Sequence, residues 1–222
     1  MDSHTVDESA TCEKWLHKAA LYEILAFGLL LPTKELAEAV SSGEFADALQ
    51  ELAGLNGLDP AVVAQAASGL AAYAQSSANI DTLFHELRVE YTHLFVGAPE
   101  PVASPFAGIW WAHEADVAPL LFVNKESMAV ERYMRSCGIG QPEGTNEPLD
   151  HIASELEFLQ YLCMVNAKSI EPPESIEMPE DAYEVFFAEH FSEWSKKFAA
   201  AVIEKARLPF YRELARVLLL LS

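Results

Sequence analysis

The chain has 222 residues and 51% hydrophobic residues, which fits one large domain, or two small ones, with a substantial core and gives no reason to expect a disordered polypeptide. Its 34 acidic and 14 basic residues give a formal net charge of −20, which argues against binding to the phosphate backbone of nucleic acids. Such acidity favours cationic partners, although solubility alone is an equally good explanation of it.

The cysteines, the first residues and the apolar segments together predict where in the cell the protein is found. Cys12, Cys137 and Cys163 are odd in number and form no CxxC pair, which is typical of a reducing environment. Residues 1–8 are acidic and polar, unlike a signal peptide. The charge-free run at 60–80 is too polar to span a bilayer. We therefore expect a soluble cytoplasmic protein without stable membrane insertion.

Helical periodicity dominates the first half of the chain, and no alternating strand pattern is evident. Start signals are clear at two places, because Thr33 is a good N-cap and Asp59 precedes a proline in the first helical turn. The predicted helices run from Trp15 to the break at Pro32, from the Thr33 cap to about Gly43, from about 44 to 53, from Pro60 to about Gln75, and from about Ile80 to Phe95.

Residues 97–108 follow, with three prolines and two glycines, and cannot sustain a helix. A loop of this length in a compact domain is often functional. Further helices are predicted at about 126–137, 149–167, 181–206 and 209–221, separated by polar loops at 138–147 and 171–179. The whole chain, 1–222, is thus predicted as a single all-α globular domain of about nine or ten helices, with residues 1–11 as a flexible N-terminus.

Catalytic signatures are missing from the sequence. It has no Walker A loop, no GxSxG elbow and no HExxH motif. We therefore predict a protein that is not an enzyme, with no cofactor and no nucleic-acid partner. The lack of a phosphate loop also gives no reason to predict nucleotide binding.

A metal site is an open alternative. Glu86, Glu90 and His93 share one helix face, and Glu90 and His93 form the ExxH motif of carboxylate-bridged di-iron bundles. His151 and Glu155 add two candidate ligands. That class of site needs a second ExxH, which the chain lacks, so a helical metal-binding protein is the alternative rather than the prediction.

The segment 148–159 combines polar and apolar residues in an unusual way. The apolar residues of its helix lie on two stripes, which indicates burial on much of the circumference. Asp150 and His151 fall in the predicted first turn, where a carboxylate is favoured by the helix dipole. Simple capping by Asp150, with His151 on the surface, explains the same pattern.

Three segments together resemble the TorD/DmsD/NarJ family of redox-enzyme maturation chaperones. They are Glu90 to Gly97 (EYTHLFVG), the Pro105–Phe106 pair in the proline-rich loop, and Asp150-His151-Ile152 followed by Glu155 to Leu159 (ELEFL). Weaker similarity covers the first and last helices. The chain departs from the family pattern at Gly108 to Trp111, where many members have a Ser-Val-Tyr-like segment. Phe106 also stands where some relatives have Trp or Tyr.

The resemblance implies an all-helical chaperone that binds the N-terminal leader, often a twin-arginine signal peptide, of a molybdenum-cofactor oxidoreductase subunit. Such a chaperone holds its client for cofactor insertion, assembly and export. The implied leader-binding residues are Asp150, His151, Pro148, Leu94, Pro105 and Phe106, with Trp110 and Trp111 added for their proximity in sequence. We expect Asp150 to pair with an arginine. The residues expected to hold the motif helices together are Glu90, Tyr91, Phe95, Gly97, Glu155 and Phe158. A structural subunit of a mature enzyme is a further alternative.

Overall fold

A computed structural model describes residues 3–98, 100–114, 125–140 and 148–222. Within these ranges there is no β-strand, and the one extended pairing is an isolated antiparallel bridge between Phe106 and His151. One hydrophobic core runs through the helices from the first to the last. The predicted all-α fold class is confirmed.

The helices are α1 (Ser3–Leu29), α2 (Lys34–Ser42), α3 (Glu44–Leu55), α4 (Pro60–Ser76), α5 (Ile80–Tyr91), α6 (Ala107–Glu114), α7 (Lys125–Ser136), α8 (Ile152–Asn166), α9 (Ala182–Phe186), α10 (Ser192–Lys205) and α11 (Pro209–Leu221). A π-helical turn, Thr92–Val96, continues α5, and a second one, Phe187–Phe191, joins α9 to α10. With α9 and α10 counted as one continuous helix, the described ranges contain ten helices, in agreement with the prediction.

Side-chain caps fix several helix starts. Thr33 accepts a hydrogen bond from the Leu36 amide, and Asp59 accepts hydrogen bonds from the first amides of α4, next to Pro60. Each of these caps satisfies amides that have no acceptor inside the helix. The predicted starts of α2 and α4 are therefore correct, and for the predicted reason.

Packing places α1 and α8 at the centre of the molecule. α1 lies mainly along α8 and also touches α3 and α11, while α11 packs on α4 and α10. Large side chains such as Tyr22, Phe158 and Trp194 are fully buried between these helices. This arrangement brings the start of α8 close to the segment before α6 and to the first turn of α7.

Three boundaries differ from the sequence predictions. α1 begins at Ser3 rather than near Trp15, so the backbone of residues 3–11 is helical. A helix that was not predicted, α6, begins at Ala107 inside the expected loop. α8 begins at Ile152 rather than Leu149. Part of the predicted loop 138–147 lies outside the described residues. In the described ranges, no helix is long and apolar enough to cross a membrane.

Candidate functional site

The Pro105–Phe106 pair and the Asp150–His151 pair lie side by side. The Ala107 amide donates to the Asp150 carbonyl at 2.9 Å, and the Ile152 amide donates to the Pro105 carbonyl at 2.8 Å. The Phe106 ring meets the His151 ring edge-on, with centroids 5.2 Å apart. Two segments that the sequence predicts to share a site are therefore in direct contact, which we call the 106/151 junction.

The junction also determines where α8 begins. His151 has an extended backbone, and its Nδ1 accepts a hydrogen bond of 3.1 Å from the Ala153 amide, so His151 is the N-cap. Asp150 was predicted in the first helical turn and instead precedes the helix, because its backbone carbonyl pairs with the Ala107 amide. The alternative in which Asp150 caps α8 is also wrong, since His151 is the cap. Burial lowers the pKa of His151 to about 4, so its ring is neutral at pH 7.

The Asp150 carboxylate is buried, with 1% of the residue exposed. Its Oδ2 accepts hydrogen bonds from the Gly108 amide at 2.9 Å and from the Ser127 hydroxyl at 2.5 Å. Asp150 therefore links the starts of α6 and α7 to the segment before α8. Burial raises the pKa of Asp150, although the two hydrogen bonds oppose that change. Its Oδ1 has no hydrogen-bond partner among the described residues.

A second buried carboxyl group lies one turn further along α8. Glu155 is fully buried, and its Oε2 accepts a hydrogen bond of 2.9 Å from the indole N–H of Trp194. Its Oε1 has no partner within the ranges that the structure describes. Burial, and then the charge of Asp150, raise the pKa of Glu155 well above its usual range, against the effect of the Trp194 hydrogen bond. Glu155 thus keeps its proton to higher pH than an exposed glutamate.

The remaining predicted contact residues occupy different environments. Trp110 is partly buried, and its indole N–H donates to the Ser104 carbonyl at 2.8 Å, which fastens the loop to α6. Trp111 is also partly buried and lies 5.4 Å below the Lys197 ammonium of α10. Pro148 is half-buried.

Two of the residues expected to bind the leader do not face the surface. The side chain of Leu94 is 0% exposed, and that of Pro105 is also buried. The Leu94 backbone carbonyl accepts a hydrogen bond of 2.8 Å from the Ala103 amide. This bond holds the loop over the Leu94 side chain, which therefore packs in the core. In this conformation these two residues support the junction from within and do not line an open groove.

The motif residues expected to be structural make interior contacts. Glu90 is buried and accepts hydrogen bonds from the Arg207 and Leu208 amides, which lie just before α11. The Tyr91 ring packs against the Phe95 ring, and Phe95 in turn contacts aromatic rings of α10 and α11. The Gly97 amide closes the π-helical turn, and a Cβ at this position would lie only 3.2 Å from the Glu100 carbonyl oxygen.

The sequence also matches a known protein family. A model of the nitrate reductase delta subunit family matches residues 56–200, which include both motif segments. The chain belongs to this family. The predicted TorD/DmsD/NarJ relationship is confirmed by this match and by similarity to proteins named TorD.

Curated relatives of this family are named Chaperone protein TorD. The protein from Aliivibrio fischeri is 29% identical over 126 residues, which cover 57% of this chain and 56% of the relative. The protein from Vibrio cholerae is 26% identical over 134 residues, which cover 60% of this chain and 58% of the relative. The chain thus matches less than two thirds of the length of these relatives.

The metal alternative gains no support from this family member's geometry. Glu86 accepts hydrogen bonds from Tyr73 and Ser77, while Glu90 serves the start of α11. Among the described residues, no group of three or more His, Cys, Asp or Glu side chains is placed to hold a metal ion. In the described part of the chain, the candidate ligands of this alternative therefore do not converge on a metal site.

Sequence reasoning missed two partners in the site. Ser127 bonds Asp150 across 23 positions of the chain, and Trp194 bonds Glu155 across 39 positions. No local spacing signals such pairs. Trp194 does lie in a segment that resembles the family near its last helices, but the resemblance alone assigns it no role.

Proposed function

We propose that this protein is a maturation chaperone for a molybdenum-cofactor oxidoreductase subunit, and not an enzyme. Family membership supports this proposal, as do relatives named as chaperones. The client would be held in the cytoplasm through its N-terminal leader, often a twin-arginine signal peptide. Release would follow cofactor insertion and precede assembly or export.

The observation that carries the proposal is the pair of buried carboxyl groups beside the 106/151 junction. Asp150 and Glu155 each have one oxygen without a partner in the described part of the chain. Buried acceptors of this kind are costly unless they are filled, and the guanidinium group of arginine fits a carboxylate with strong, charge-assisted hydrogen bonds. A leader rich in arginine supplies such donors.

Asp150 is the residue that we propose for direct pairing. Its Oδ2 is occupied by Gly108 and Ser127, so Oδ1 is the oxygen available to an arginine. Because the carboxylate is buried, binding would require the 106/151 junction to open locally. Phe106 and His151 are both partly exposed, and their rings would then contact the apolar part of the leader.

The overall charge supports the same partner. A formal charge of −20 attracts a basic leader and raises its rate of association at low salt. The apolar stretch of a leader adds contacts that do not depend on salt. Together these features favour a segment that is both basic and apolar over a purely acidic or purely apolar one.

Affinity purification from the native host tests the proposal. The tagged protein should recover the precursor of a molybdoenzyme catalytic subunit that still carries its leader, as identified by mass spectrometry. A leaderless client, produced as a matched control, should be recovered much less. Stoichiometric recovery of the assembled, mature enzyme instead would identify a structural subunit and contradict the chaperone proposal.

A further inference from the structure

A second surface feature lies away from the 106/151 junction. A groove of about 510 Å³ runs between α1, α3 and α8. Its apolar lining comes mainly from Ala20, Ile24, Phe27, Leu30, Ala48 and Leu52. Glu157 and Gln160 of α8 complete the groove. They lie about two turns of helix after the N-cap His151.

The floor of the groove leaves apolar side chains in contact with solvent. Ile24, Phe27 and Leu52 are only partly buried, and Leu30 is 40% exposed. Its neighbour Leu31 is 46% exposed. Apolar surface gains roughly 25 cal/mol for each Å² that a partner removes from water. A concave cluster of this kind is typical of an interaction site, whereas single exposed leucines need no explanation.

The shape of the groove fits a helix. Ala20, Ile24 and Phe27 follow one another at i, i+4 and i+7, so they form a continuous ridge on one face of α1. Ala20 and Ala48 are small, which lets a neighbouring backbone approach closely. A third helix laid between α1 and α3 would place its own apolar ridge against this row, as ridges pack into grooves elsewhere in helical proteins.

The negative charge at the edge of the groove favours a basic partner. Glu23 of α1 and Glu157 of α8 are exposed carboxylates at its edge, and none of the described residues that line it is a lysine or an arginine. A second copy of this chain would bring the same carboxylates together and would also carry −20. Like charges across an interface are unfavourable, so a basic partner fits and a homodimer does not.

We propose that the groove between α1, α3 and α8 binds a basic amphipathic helix of a partner protein. The apolar stripe of that helix lies on Ile24, Phe27 and Leu30, and its lysine or arginine side chains pair with Glu23 and Glu157. This mode of binding is the familiar packing of an amphipathic helix into an apolar groove. The proposal does not depend on the leader-binding role of Asp150.

A fluorescence anisotropy titration tests it with a labelled 18-residue amphipathic peptide of leucine and lysine as the probe. Leu30→Asp, and separately the double variant Glu23→Lys/Glu157→Lys, should each weaken binding at least tenfold. The matched controls are Val89→Asp, at an exposed valine of α5, and Glu174→Lys/Glu177→Lys, at exposed glutamates of the loop before α9. The controls should change the affinity less than twofold.

Several outcomes overturn the proposal. Equal losses in the groove variants and in the controls would show non-specific attraction to an acidic protein. A dimer of the wild-type chain that Leu30→Asp dissociates, measured by sedimentation, would assign the groove to a second copy. If Leu30→Asp does not fold, the double charge reversal decides alone, since both glutamates are exposed.

Discussion

The two motif segments, residues 90–97 and 150–159, bury carboxylates in opposite ways. Glu90 uses one oxygen to accept the amides of Arg207 and Leu208 before α11. Asp150 and Glu155 each keep an oxygen that no described residue fills. Burial alone therefore does not mark a functional site. The difference lies in whether the buried acceptors are already satisfied within the fold.

This contrast assigns the segments different tasks. The first segment joins α5 to the start of α11, so its carboxylate stabilises the fold. The second also holds helices together, through Gly108, Ser127 and Trp194, but leaves one carboxyl oxygen of Asp150 and one of Glu155 without a partner among the described residues. Buried polar atoms without a hydrogen-bond partner lower the stability of a fold, and such atoms are common at functional sites.

The largest expected effect is on stability, at Glu90. Glu90→Ala leaves the Arg207 and Leu208 amides without their acceptor and should lower the free energy of unfolding by about 3 kcal/mol, since hydrogen bonds to charged groups are the strong ones. Urea unfolding followed by circular dichroism measures this. Glu90→Gln keeps an acceptor oxygen and should lose much less. Near-equal losses for both variants would show that charge, not capping, is what Glu90 provides.

Asp150→Ala should be the next most damaging change. It removes the acceptor shared by the Gly108 amide and the Ser127 hydroxyl, and we expect a loss of about 2 kcal/mol in the same unfolding experiment. Asp150→Asn retains an oxygen in the same place and should unfold close to the wild type. If the alanine variant is as stable as wild type, Asp150 does not hold α6 and α7 in place.

Acidification should destabilise the junction through His151. Its pKa is about 4 in the fold, against about 6.5 when unfolded, so its contribution is complete above pH 6.5 and disappears as pH falls through 4. We expect about 1.8 kcal/mol of this loss between pH 7 and pH 5. His151→Asn still caps a helix but cannot gain the proton, so its pH profile should be flatter there. Identical profiles would show that other groups cause the loss.

Glu155→Gln should give a smaller effect of opposite sign. Because the folded pKa of Glu155 is raised, the wild type is most stable below the unfolded pKa of about 4.3 and loses stability as pH rises through the folded value. The glutamine keeps the oxygen that receives Trp194 and cannot ionise, so it should gain about 1 kcal/mol at pH 8. The control Glu184→Gln, at an exposed position of α9, should gain nothing. A destabilised glutamine variant would contradict an unfilled acid at this position.

Local signals in the sequence were sufficient for most of the fold. Caps such as Thr33 and Asp59 act within one turn, so the starts of α2 and α4 could be read directly. The start of α8 could not, because it depends on pairing with a loop more than forty residues earlier. Similarly, Gly108 suggests a loop in isolation, yet its amide is held in α6 by Asp150.

The candidate site was only partly accessible to sequence reasoning. The motifs correctly brought Phe106 and His151 together, because the family resemblance carries that pairing. Leu94 was expected to line the leader-binding groove but packs in the core, since apolar character does not distinguish a groove from an interior. The groove between α1, α3 and α8 is formed by three separate helices, so no pattern within a single segment predicts it.

The most direct test of the central claim is calorimetry with the leader peptide of the client recovered by affinity purification. The Asp150→Asn variant should bind this peptide about tenfold to a hundredfold more weakly than wild type, at about 1.4 kcal/mol per decade, with little change in melting temperature. Glu90→Gln, the corresponding change in the first motif, should bind it as wild type does. Full-strength binding by Asp150→Asn would contradict the account and remove Asp150 from the leader site.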